Sequence, residues 1–282
     1  MVRITVSQYP LGRYSMSKVV LNGVPLECKV TPSLQISGSK VWSTPVRING
    51  GMAHGITINN YEYPPCPTGT VLYFPGLPGQ GATIWDRAGT NNGAITGATW
   101  VRLPSGLWVL SFDGNDKVTI TDNAGIRVGT GDFTIGCWAY VNAIGAIQVF
   151  MAKGNDTSTE FYWLRKNATD VVNFFTQSAA GTSQVSSTAT MAAAGWYRII
   201  GTRVTTTLTI YVNAVAATAT GQTVRDVTGT RNLLLGVREA DPPNFTGWLA
   251  GRQALSFLNP TTAWTAAQVA NDYAQTRSLL GV

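Results

Sequence analysis

Between residues 108 and 258 the chain alternates short apolar runs with turn residues, and this rhythm constrains its fold more than any other feature. The runs 108–112, 117–121, 132–141, 147–152, 161–164 and 171–175 suit strands better than helices, and 196–204, 208–212, 232–237 and 247–258 continue the series. Regularly spaced strands joined by turns predict an all-β sandwich, because a strand buries its apolar face by stacking against a second sheet. In 133–141 the odd positions form one apolar face while Trp138 and Tyr140 occupy the other, so both faces are expected to be covered. One helix is expected near the end. Thr265-Ala266-Ala267-Gln268 has capping-box spacing, Val269 and Tyr273 lie one turn apart, and Gly281 follows the last apolar residues.

The preceding residues read differently. From Met1 to Tyr63 short alternating stretches are broken by prolines and by Asn22-Gly23 and Asn49-Gly50-Gly51, which are hairpin signals. The segment 63–81, rich in proline and glycine around one short strand, reads as a connector, and its Gly76–Gly81 part lacks the Lys of a phosphate-cradling loop. This divides the chain into a small β-rich N-terminal arm or domain, 1–67, and a sandwich, 68–282. The arm holds six Lys/Arg against Glu27 and Glu62, most of the net charge of +6. Those charges are scattered and form no phosphate-tracking stripe, which argues against nucleic acid. No run of eighteen apolar residues exists for a membrane span, and no export signal is read at the N-terminus. Cys28, Cys66 and Cys137 are far apart, forming neither a disulfide framework nor a zinc site.

Several segments, taken in order, carry a resemblance. They are 84–93 (IWDRAGTNNG), 110–120 (LSFDGNDKVTI), 132–138 (DFTIGCW), 153–155 (KGN), 196–199 (WYRI) followed by 208–213 (LTIYVN), and 247–250 (GWLA) with the closing helix. Together they resemble the concanavalin A-like, laminin-G-like superfamily, particularly its bacterial and bacteriophage modules. The resemblance covers roughly 69–282 and implies a jelly-roll β-sandwich. This chain has Thr205-Thr206 where the family usually has Asp-Gly, and Asn213-Ala214 where it has Asn-Gly, so differently built turns are expected. The resemblance also implies a calcium ion at a rim loop, for which Asp113 and Asp116 are the candidates. Turn chemistry explains the same residues, so no cofactor is favoured.

Catalysis is not expected. His54 is the only histidine and is flanked by glycines, and glycosidase chemistry needs two opposed carboxyls, whereas the chain has four Glu. Glu239-Ala240-Asp241 has suitable spacing, but Pro242-Pro243 ends the strand, giving a rim turn. For a ligand surface the candidates are Trp85, Trp100 and Trp163, whose burial the pattern leaves open, with Asn155 and Asp156; aromatic faces stack on sugar rings. An extracellular-type fold without an export signal suggests a virion protein of a tailed bacteriophage, a capsid decoration or a tail or baseplate fibre component. Residues 1–67 would join it to other virion proteins and its own copies, and the sandwich would meet a host-surface glycan. The alternative is a secreted carbohydrate-binding or adhesin module, placing the protein outside the cell.

Overall fold

In the computed structural model, residues 66–77, 79–155, 160–240 and 243–282 are described throughout, and the strands between residues 4 and 63 by their backbone. The chain divides into two compact units, Met1–Cys66 and Pro67–Val282. In the first, Ile4–Leu11, Tyr14–Leu21 and Val24–Cys28 form an antiparallel three-stranded sheet, with Leu21 opposite Val24 across Asn22-Gly23. Ile48 pairs with Gly51 across Asn49-Gly50, and Gln35–Ile36, Ile56–Ile58 and Tyr61–Tyr63 make a further small sheet.

The second unit is a sandwich of two large antiparallel sheets. The first runs Thr83–Ile84, Gly93–Thr96, Lys117–Ile120, Leu233–Leu235, Gln148–Lys153, Phe161–Lys166, Val171–Ser178 and Gly181–Thr190. The second runs Thr99–Arg102, Trp108–Asp113, Ala250–Asn259, Phe133–Val141, Gly195–Val204, Thr207–Val212 and Val215–Ala219, with Leu72–Phe74 also paired to Ala250–Asn259. Strand neighbours distant in sequence, such as Leu233–Leu235 between Lys117–Ile120 and Gln148–Lys153, give the jelly-roll its crossovers. Alternate residues of the two inner faces, among them Val118, Met151, Leu164, Phe174, Phe133, Ile135, Cys137 and Ile199, share one buried core. Burying each large apolar side chain stabilises the fold by about 1.5–3 kcal/mol.

The opposite face of Phe133–Val141 is covered too, by the helix Ala266–Thr276. Its capping box forms, with Thr265 Oγ1 accepting from the Gln268 backbone and the Gln268 side chain accepting in return. The helix docks through Trp138, whose indole N–H donates to Thr276 Oγ1 at 2.9 Å and whose ring stacks on Tyr273. The buried Arg198 guanidinium donates to both carboxylate oxygens of Asp272, at 2.7 and 3.1 Å, and to the Leu255 carbonyl.

The DRAGTNNG segment is a structural knot. Asp86 Oδ1 accepts from the backbone of Tyr73 and Ala88 and Oδ2 from Asn91, while the Asn91 amide donates to the Val71 carbonyl. The glycines expected to make a connector are instead pressed against Trp108: a side chain at Gly76 would meet its carbonyl and one at Gly79 its ring. The Asn213-Ala214 turn is left-handed at both residues. It joins Val212 to Val215 with φ of +51° and +67°, so Ala214 occupies a position that favours glycine. Thr205, at φ +45°, is held by Asp132, which accepts its backbone N–H at 2.7 Å.

Candidate binding site

Register places Thr119, Leu234, Ala152, Trp163, Phe175 and Gln184 in one row across the outer face of the first sheet. Residues this far apart in sequence meet only because the crossovers interleave their strands. A short hairpin, Arg238–Glu239 paired with Phe245–Thr246, lies against this face. Arg238 and Glu239 alternate in direction: the Arg238 guanidinium stacks 4.3 Å from the Trp163 ring, whereas Glu239 turns to a groove of about 400 Å³. Lys117, Thr119, Arg231, Asn232, Glu239 and Phe245 line that groove. Its volume lies within the range of small-ligand sites.

On the Trp163 side the packing is tight. Phe161, Trp163 and Phe175 form a second apolar cluster with Val149 and Ala152, and Arg165 stacks over both Trp163 and Phe175. Trp163 is 6 % exposed. With its neighbours against it, the indole acts as a prop under the hairpin rather than an open platform. Burial lowers the pKa of Arg165 and Arg238 below the usual guanidinium range.

On the groove side the walls are fixed from below. Lys153, 1 % exposed, donates to the Arg231 carbonyl and to Asp122, which also accepts from Arg127. Burial raises the Asp122 carboxyl, but the hydrogen bonds from Arg127 and Lys153 outweigh it and hold it below its ordinary value. The Asp122 backbone N–H donates to Asn232 Oδ1 at 3.0 Å, which fixes Asn232 in the groove wall. Lys117 lies 4.1 Å from the centre of the Phe245 ring, and Phe245 itself packs on Trp248. Arg231 and Glu239 are 3.7 Å apart across the groove.

The sequence candidates are therefore dispersed. Trp163 and Asn155 are brought together with the hairpin, Asn155 being fully buried and bridged to Glu239 along the backbone. Trp85, 48 % exposed, follows the edge strand Thr83–Ile84, five strand spacings or roughly 24 Å from the Trp163 strand. Trp100 packs against the main core, and its indole N–H donates to the Gly81 carbonyl. Asp156, Asp241 and His54 lie outside the described residues. Asp113 and Asp116 make a turn: Asp116 Oδ2 accepts the Asp113 backbone N–H, and Asp113 Oδ1 accepts the Asn115 backbone N–H. Burial raises Asp116 above its ordinary value. Among the described residues no group of three His, Cys, Asp or Glu could hold a metal, and no helix is long and apolar enough to cross a membrane.

Sequence reasoning missed Lys117, Arg231, Asn232 and Phe245. Each is an ordinary strand or turn residue, and no local motif marks them. The described lining includes one carboxylate, Glu239, where glycoside hydrolysis uses two.

The outer-face groove on a two-sheet jelly roll defines a lectin-like fold, and comparison with known proteins agrees. The chain belongs to the Laminin_G_3 family of the concanavalin A-like lectin/glucanases superfamily, whose model matches residues 112–253, half of its length. A comparison by sequence with curated proteins returns no match. The binding domain of Paraclostridial Mosquitocidal Protein 1 is similar in structure, with a TM-score of 0.58 and 14 % identity over 72 % of this chain and 51 % of that one. So is domain 4 of AbnA, a GH43 extracellular arabinanase from Geobacillus stearothermophilus in complex with arabinotriose, with a TM-score of 0.52 and 15 % identity over 72 % of this chain and 98 % of that one. A mutant Trypanosoma rangeli sialidase displaying trans-sialidase activity gives a TM-score of 0.57 and 13 % identity over 77 % of this chain and 35 % of that one. The chain thus spans about half the length of the toxin domain and about a third of the sialidase. At these identities the likenesses establish the shared fold.

Proposed function

We propose that this chain is a non-enzymatic glycan-binding module whose ligand lies in the groove beside the 238–246 hairpin. One observation carries the reading: a half-buried aromatic ring, Phe245, stands in a single groove with Thr119, Asn232, Arg231, Lys117 and Glu239. A ring face packs on the C–H surface of a sugar while side-chain donors and acceptors read its hydroxyls. The arabinotriose complex of the similar arabinanase domain supports the assignment.

The finer reading is a virion protein of a tailed bacteriophage, with residues 1–67 joining it to the particle and to its own copies. The alternative is a secreted adhesin. Buried Cys137, a free thiol, accords with a protein that needs no oxidising compartment. Binding of the whole chain to immobilised glycans tests the site. Phe245→Ala and Asn232→Ala should abolish retention, and Trp85→Ala should keep it. Retention lost in Trp85→Ala but kept in Phe245→Ala would sink the groove assignment. Immunogold labelling of purified phage particles tests the location.

A further inference from the structure

The groove is not balanced in charge, and the imbalance specifies its ligand. Lys117 has an aromatic face, not a carboxylate, as its partner among the described residues. Phe245 strips water from one side of that ammonium, so its charge is less screened than that of a free lysine. Asn232 is held in place by the Asp122 backbone N–H, which donates to its Oδ1. Arg231 is fixed through its carbonyl by buried Lys153, while its guanidinium stays about half exposed, 3.7 Å from Glu239. A long, exposed ion pair of this kind contributes little and exchanges readily. The groove therefore holds an ammonium and a guanidinium against one carboxylate, with net charge +1. Neutral sugar hydroxyls can accept from these donors, but only an anion also offsets the net charge, and a carboxylate accepts without donating.

We infer that the groove selects a saccharide bearing a carboxylate, which pairs with Lys117 and Arg231, while Glu239 weakens that pairing by competing for Arg231. This rests on the groove being a glycan site and adds the class of glycan. The ligand carboxylate enters between ammonium and guanidinium, and charge-assisted hydrogen bonds to both replace water. Glu239 sits near enough to repel it, so the native site is tuned below its maximum affinity for acidic sugars.

Titration calorimetry of the whole chain with matched pairs tests this: trigalacturonate against neutral galactotriose, and sialyllactose against lactose. The acidic member of at least one pair should bind about tenfold or more tightly, as expected for charged hydrogen bonds, and which pair responds separates a uronate from a sialate. Lys117→Gln and Arg231→Gln should each pull the acidic-to-neutral ratio toward one, with melting temperatures near the native value because both side chains are at the surface. Glu239→Gln should raise the ratio, a sign that loss of packing would not produce. Added salt should lower it. Equal affinity within both pairs, or a ratio unmoved by Lys117→Gln and Arg231→Gln, overturns the inference while leaving the groove a glycan site. Absence of binding by all four saccharides overturns both.

Discussion

Replacing Asp122 with Asn should destabilise the sandwich and loosen the groove together, because one carboxylate serves both. Its two cationic partners differ: Arg127 is partly exposed and can turn to water, but the Lys153 ammonium, 1 % exposed, cannot. Without Asp122 the ammonium keeps a hydrogen bond to the Arg231 carbonyl and loses its counter-charge. Breaking a buried ion pair from one side costs about 3–5 kcal/mol. For a unit of this size each kcal/mol moves the melting temperature by about 2–4 °C, so a fall of roughly 6–20 °C is expected. The loss should also depend on pH. Burial already lowers the Lys153 pKa, and the Asp122 hydrogen bond opposes that fall. In the variant the opposition is gone, the folded protein sheds the Lys153 proton more readily than the unfolded chain, and stability rises as pH rises through the lowered folded value. Thermal melts of native and Asp122→Asn protein from pH 6 to pH 10 should therefore converge toward the alkaline end. Lys153→Met with Asp122→Leu should recover much of the loss, since apolar replacement of a buried pair is often neutral or stabilising. A single variant that melts within about 2 °C of native, or a gap constant across that pH range, would refute the reasoning.

Ala214→Gly should stabilise the protein by about 0.5–1 kcal/mol, because relief of positive φ outweighs the added freedom of the unfolded chain; a lower melting temperature would contradict this. EDTA should leave the melting temperature nearly unchanged, since Asp113 and Asp116 each accept a backbone N–H as turn residues do; a large drop reversed by calcium and absent in Asp116→Ala would falsify that view. A chain lacking residues 1–63 should remain a folded sandwich and fail to assemble, measured by circular dichroism and sedimentation. Normal assembly would move the attachment surface onto the sandwich.

The strands that sequence alone revealed are those whose chemistry is local. The apolar runs of Phe133–Val141 and Gly195–Val204 announce buried strands, and the capping box at Thr265 and Gln268 fixes where the helix starts. The edge strand Gly181–Thr190 was illegible because its Ser, Thr and Gln residues face solvent on one side and bury only every second position. Likewise, Ala214 hides a turn geometry that the neighbouring strands impose from outside. The residue order was enough for the family and the jelly roll, because alternation and turn chemistry act over a few residues. The groove was beyond it. Lys117, Arg231 and Phe245 become neighbours only through strand register and the docking of the hairpin on Trp163, contacts between segments far apart in sequence whose geometry no local pattern encodes.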